Sequence, residues 1–257
     1  MPSTPTPSTV DGRRLRLANV FNFRDLGGHR TRSGGVVRDG VVFRADGLNR
    51  LGEADVEALR PLNLRTVVDL RTTTERDDHG IAPEALGVDV VHLPVIAELW
   101  PHDGAHDAAP VDYLIERYLE MTEDVGAVAI ASVLKLLARA EPEAVPLVFH
   151  CSAGKDRTGV TAAVILSVLD VDEATIAEDY HVTAGAMTDL VEWLHTNVPE
   201  SIDAMADQPD VFLACPPEAM AGFLSTMVER HGSIVDYVRS IGVDAAEIDS
   251  LRSRLVL

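Results

Sequence analysis

A chain of 257 residues, 46% hydrophobic and 25% charged, has the composition of a globular protein rather than a disordered one. Its 22 Lys and Arg against 41 Asp and Glu give a formal net charge of −19, which argues against partners that need a basic face, nucleic acid and anionic membrane alike. No apolar run is long enough to span a bilayer, and the two cysteines, Cys151 and Cys215, are too few for a disulfide scaffold or a cysteine-based zinc site.

Residues 1–14 open on Pro, Ser and Thr with little to bury and are expected to form a disordered tail. Met1 to Val10 has neither a basic n-region nor an apolar h-region, so a cytoplasmic location is expected, with signal-less secretion left open. Val36-Val37 and Val41-Val42-Phe43 around Asp39-Gly40 predict a hairpin. Leu51 to Leu59 has helical spacing and stops before Pro61. Arg65 to Leu70, Val88 to Val95 and Pro146 to His150 are apolar runs of strand length. Val111 to Ala140 predicts helix, broken near Gly126, and Thr158 to Leu169 is a nearly all-apolar helix that must be buried. Beyond Asp172 only helices are expected, over 172–185, 187–197, around 200–206, 216–231 and in shorter pieces to the end. Strands alternating with helices predict an α/β fold: a mostly parallel central sheet flanked by helices, with a helical C-terminal third, as one domain over 15–257.

The chemistry concentrates in His150-Cys151-Ser152-Ala153-Gly154-Lys155-Asp156-Arg157-Thr158-Gly159, between a buried strand and a buried helix. A loop of backbone N–H groups facing a helix N-terminus binds anions, because the helix dipole and several unsatisfied donors converge on one point. Gly154 lets the backbone curl, and Arg157, six residues after Cys151, offers a planar fork to two phosphate oxygens. Such a field favours the thiolate, which attacks phosphorus and forms a phosphocysteine intermediate released by water. Only Lys135 and Lys155 of the 22 basic residues are lysines, so a lysine inside this loop is not background. The chemistry requires no metal and no cofactor, and the nine histidines form no ligand-spaced cluster.

The segment HCSAGKDRTG resembles the phosphate loop of the cysteine-dependent protein tyrosine phosphatase superfamily, and more narrowly that of the bacterial branch typified by a mycobacterial secreted tyrosine phosphatase. Asn22-Phe23-Arg24-Asp25-Leu26-Gly27-Gly28, Val42-Phe43-Arg44 and Val68-Asp69-Leu70-Arg71 followed by Glu75 agree with that branch. The resemblance implies Cys151 as nucleophile, Arg157 as phosphate clamp, and amides of Ser152, Ala153, Gly154, Lys155 and Asp156 around the phosphate. It also implies a helical lid over 185–232. Thr158 either donates toward the Cys151 sulfur or caps the helix. His150 orients the loop.

The general acid is ambiguous. Many relatives carry an Asp after an Ile/Leu-Pro pair, but here Leu93-Pro94-Val95-Ile96 leads to Ala97. Asp156 is the first choice by resemblance to the branch. Asp69, at a strand end where ligands sit in open α/β sheets, is the second, with the alternative role of holding Arg157 or a loop amide. Glu98 and Asp103 are nearby replacements. Lys155 is expected to offer a second cation at the pocket wall. Expected substrates are phosphotyrosine proteins, with phosphoinositides or both as the alternative, and a phospho-binding pseudophosphatase as the non-enzyme reading. A rhodanese-type sulfurtransferase fits less well, because the six-residue span to Arg157 and the Thr158-Gly159 after it suit phosphate transfer. Cys215 reads as a packing residue.

Overall fold

The computed structural model describes residues 9–10, 13–100, 110–139, 144–198 and 213–257. Seven strands form one sheet: β1 (Thr9–Val10), β2 (Arg14–Leu15), β3 (Arg24–Asp25), β4 (Val42–Ala45), β5 (Thr66–Asp69), β6 (Asp89–His92) and β7 (Leu147–His150), in the order β1-β2-β3-β4-β7-β5-β6. The first four pair antiparallel, whereas β4, β7, β5 and β6 run parallel. Ala45, His150, Asp69 and His92 are register partners across the parallel strands, so four chain segments leave the sheet along one edge. Ligands of open α/β sheets bind at that edge.

The parallel strands are β-branched and apolar because both faces are covered. Leu147 and Phe149 of β7 join one core with Val68, while Val148 faces a second with Val67 and Phe43. The first core is closed by α3 (Pro110–Glu120), α4 (Asp124–Ala138), α5 (Asp156–Val168) and the C-terminal helices; α1 (Glu53–Leu59) lies on the second, and α2 (Thr73–His79) follows β5. Almost every residue of α5 is buried, as its apolar sequence demands. The C-terminal third is helical: α6 (Glu173–His181), α7 (Thr183–Asn197), α8 (Pro217–His231), α9 (Ile234–Ser240) and α10 (Ala245–Leu255).

Four expectations are corrected. The tail does not extend to residue 14, because β1 and β2 pair at the sheet edge. Val36-Val37 and β4 make no hairpin: Val42 is engaged by Leu26 and by β7, so Val37 pairs instead with the backbone of Gly28 and His29, and Val36 with Leu257. The helical break falls at residues 121–123, not at Gly126, which lies in the first turn of α4. A Cβ there would stand 2.0 Å from the Met121 carbonyl oxygen, so glycine serves close approach rather than a break. Finally, α8, placed in the lid by resemblance, is core: Met220, Phe223 and Met227 are fully buried. The helix expected around 200–206 lies outside the described residues.

Candidate active site

β7 ends at His150 on the ligand-binding edge, and α5 begins six residues later at Asp156. The loop between them is shaped by where its carbonyls go. Gly47 N–H donates to Ser152 O at 3.0 Å, and the Asn22 side chain and Arg44 guanidinium both donate to Gly154 O at 2.9 Å. Asn22 also reaches Ala153 O, at 3.4 Å. A planar trans peptide points its N–H opposite its C=O, so the amides of Ala153, Gly154 and Lys155 turn away from the scaffold. Gly154 has φ +67°, and a Cβ there would stand 2.7 Å from both Ala45 O and Asn22 Nδ2. Only glycine permits this approach.

The donors that hold the loop are themselves fixed. Asp46 accepts from the Phe21 and Asn22 amides and pairs with Arg50. Asp179, from α6, bridges Arg24 and Arg44, the latter at 2.6 Å, while Arg24 holds the Asn22 side-chain oxygen. Burial would raise the Asp179 carboxyl, but the charges of Arg24 and Arg44 prevail and hold it well below the usual carboxylate range. Burial, aided by Arg44, lowers Arg24 to about 10.

Cys151 is buried at the start of the loop. Arg157 returns from the first turn of α5, and Glu75 of α2 takes two of its donors, Nη1 at 2.5 Å and Nη2 at 3.0 Å. Among the described residues no acceptor takes the other three of its five N–H groups. Glu75 is the third helical residue of a capping box with Thr72, and its carboxylate also accepts from the Thr72 amide, the Thr72 hydroxyl and Ser152 Oγ. Burial works against its charge, yet the hydrogen bond and charge of Arg157 win and lower it to about 2. Burial likewise opposes the Arg157 charge, and Cys151 and Glu75 outweigh it.

The chain matches the model of the tyrosine phosphatase family over residues 15–257. It belongs to the tyrosine phosphatase family. Triple specificity protein phosphatase PtpB of Mycobacterium tuberculosis is 28% identical over 93% of this chain and 98% of its own. A putative tyrosine-protein phosphatase of Cupriavidus necator is 30% identical over 70% of this chain and 67% of its own. The catalytic core of the S. cerevisiae PP-IP phosphatase SIW14 overlays with TM-score 0.37 at 12% identity, covering 84% of this chain and 96% of that one, too loosely to carry weight.

In this phosphatase the residues singled out by sequence do not all converge. Asp69 places both side-chain oxygens on the Arg71 fork, at 2.9 and 2.7 Å, and holds neither Arg157 nor a loop amide; Glu75 has the role expected of it. Burial would raise Asp69, but the hydrogen bonds and the charge of Arg71 lower it. His150 is fully buried, which lowers it to about 4 and keeps it neutral, so its Nδ1–H donates to Cys151 O at 3.2 Å. Glu98 is exposed in a loop, and Asp103 lies outside the described residues.

Lys155 also departs from expectation. Its side chain is 1% exposed and its ammonium is ion-paired with Asp156 Oδ1 at 2.8 Å, instead of standing free at the pocket wall. Burial opposes its charge, and Asp156 more than offsets that. The same Asp156 oxygen accepts from Tyr118 OH at 2.7 Å, and Tyr118 bonds Tyr180 at 2.6 Å. Asp156 itself is 21% exposed, and among the described residues no donor reaches its Oδ2. Thr158 does not cap α5, and its buried hydroxyl has no partner among the described residues. Cys215 is buried, and its thiol is pushed up to about 11 by burial, as suits a packing residue. Among the described residues no cluster of His, Cys, Asp and Glu is placed to hold a metal.

Sequence reasoning missed Asp179, Tyr118 and Tyr180. Glu75 was visible only through resemblance, although Thr72-x-x-Glu75 is a legible capping box.

Proposed function

We propose that this phosphatase hydrolyses phosphomonoesters, phosphotyrosine in proteins foremost, through a phosphocysteine on Cys151. The observation that carries this reading is the turning of the Ser152, Ala153 and Gly154 carbonyls onto Asn22, Arg44 and Gly47, which leaves amides and the Arg157 fork to face an anion beside Cys151.

The Cys151 sulfur attacks phosphorus, and the bond to the leaving oxygen breaks on the opposite side. Charge on the three equatorial oxygens is met by loop amides and Arg157; losing one such preorganised donor costs roughly 10²–10³ in rate. Asp156 gives its proton to the leaving oxygen from Oδ2, the oxygen left free by Lys155 and Tyr118, and then takes one from the water that attacks the phosphocysteine. Asp69, held by Arg71, is read as a support for the sheet edge rather than an acid. The unpartnered Thr158 hydroxyl is available to the departing sulfur.

Substrate choice follows from Lys155. Its ammonium is buried and turned onto Asp156 rather than standing free at the pocket wall, which removes the feature expected to favour phosphoinositides, and a net charge of −19 repels polyanions at long range. The name of the M. tuberculosis relative keeps a broader specificity as the second reading.

The test is p-nitrophenyl phosphate hydrolysis by wild type and Cys151→Ser in EDTA, with release of phosphate from phosphotyrosine peptides and phosphoinositides measured alongside. Activity that survives EDTA, disappears in the variant and prefers the peptides is expected. Equal activity of the variant refutes the cysteine mechanism, and a preference for phosphoinositides refutes the substrate assignment.

A further inference from the structure

Asp156 sits at the first position of α5, and its carboxyl is held by residues from distant helices. Tyr118 belongs to α3 and Tyr180 to α6, and both are buried. Their proton inventory fixes the direction of the chain. Burial raises both phenols, the charge of Asp156 adding to the rise at Tyr118, so each keeps its single proton across the working range. Tyr118 donates its hydrogen bond to Asp156 Oδ1, and Tyr180 must therefore donate to the Tyr118 oxygen.

A carboxyl tethered by one ion pair still turns about its own bonds. Lys155, beside Asp156 in the chain, supplies one tether on Oδ1, and the Tyr118 hydroxyl, from α3, supplies the second on the same atom. The Tyr118 ring is itself wedged edge-on against Tyr180 and Phe223, at centroid distances of 6.0 and 6.2 Å, so its hydroxyl has little freedom. Oδ2 is thereby the oxygen presented outward from the only partly exposed member of the cluster.

We propose that Tyr118 is the positioning residue of the reaction, aiming Asp156 Oδ2 at the leaving oxygen, with the Tyr180 hydroxyl fixing Tyr118 in turn. The proposal rests on the reading of Asp156 as general acid. Tyr118 never touches substrate; it acts only through the carboxyl.

Tyr118→Phe keeps the ring and removes the hydroxyl, and is assayed in the full chain with phosphate esters of graded leaving group. Esters that leave poorly need the proton, whereas p-nitrophenolate leaves without it. Because the water step is shared by every ester, the comparison is made on kcat/KM, which reports only formation of the phosphocysteine. The expected result is a value lower by roughly tenfold, the worth of one hydrogen bond, for phenyl and alkyl phosphates and nearly unchanged for p-nitrophenyl phosphate. Tyr180→Phe gives the same pattern more weakly, and Tyr118→Phe adds nothing in an Asp156→Asn background. An equal loss for every leaving group, or an undiminished loss in that background, overturns the positioning role. If Asp156→Asn itself leaves the leaving-group dependence flat, the acid assignment falls first and this proposal with it. A steep dependence in Asp156→Asn with none in Tyr118→Phe removes the positioning role alone.

Discussion

Glu75 and Arg157 meet as two parallel hydrogen bonds, 2.5 and 3.0 Å long, although they come from helices on different parts of the chain. The same carboxylate accepts from Ser152 Oγ, so one side chain of α2 sets both the second residue of the loop and its arginine. A capping box normally serves only its own helix. Here it fixes the carboxylate that orients Arg157, the proposed phosphate clamp.

Glu75→Gln should therefore lower kcat/KM by about tenfold, because one charge-assisted bond to Arg157 is lost and an amide N–H faces the guanidinium. It should also change acid stability. The Glu75 carboxyl titrates near 2 in the folded chain against 4.5 for the ordinary group, so its contribution is present above about 4.5 and lost as pH falls through about 2. Urea titrations of both proteins between those limits should show the wild type losing on the order of 2–3 kcal/mol more than the variant. Parallel curves would refute the coupling.

Asp179→Ala tests the outer ring of the loop. The substitution leaves Arg24 and Arg44 buried without their shared carboxylate, and removing one partner of a buried pair costs about 3–5 kcal/mol. Because Arg44 also donates to Gly154 O, phosphate affinity should weaken with stability. The midpoint of urea unfolding and inhibition by inorganic phosphate report the two effects separately. A stability loss below about 1 kcal/mol, the worth of a surface pair, would contradict the assignment.

The loop itself was legible because its features are contiguous: a strand-length apolar run, glycine at a left-handed position, an arginine six residues on and an all-apolar helix. The parallel sheet was legible for the same reason, each strand announcing itself locally. What escaped are contacts made at long sequence distance. Asp179 lies 155 residues from Arg24, and Tyr118 lies 38 from Asp156, so neither spacing carries a signal. Asp69 shows the converse error. Its place at the strand edge looks catalytic, and only the side-chain geometry reveals that Arg71, two residues on, occupies both oxygens. Lys155 stood out by rarity, but rarity does not say which way an ammonium points.

His150 carries a prediction in a different pH window. Complete burial lowers it to about 4 from the ordinary 6.5, against the pull of Asp69, whose nearest oxygen is 3.8 Å away and makes no hydrogen bond. A histidine depressed in the folded state binds its proton first in the unfolded chain, so wild-type stability should be whole above about 6.5 and fall as pH drops toward 4. The size of that fall is on the order of 3 kcal/mol. His150→Asn keeps a donor for Cys151 O but cannot titrate, so its stability should be flatter between those limits while the Glu75 transition below them persists. The difference between the two urea-midpoint curves isolates the imidazole from every other titrating group. An identical slope in the variant would mean that His150 is not held neutral beneath the loop, and that its ring does not orient Cys151 in the tautomer assigned to it.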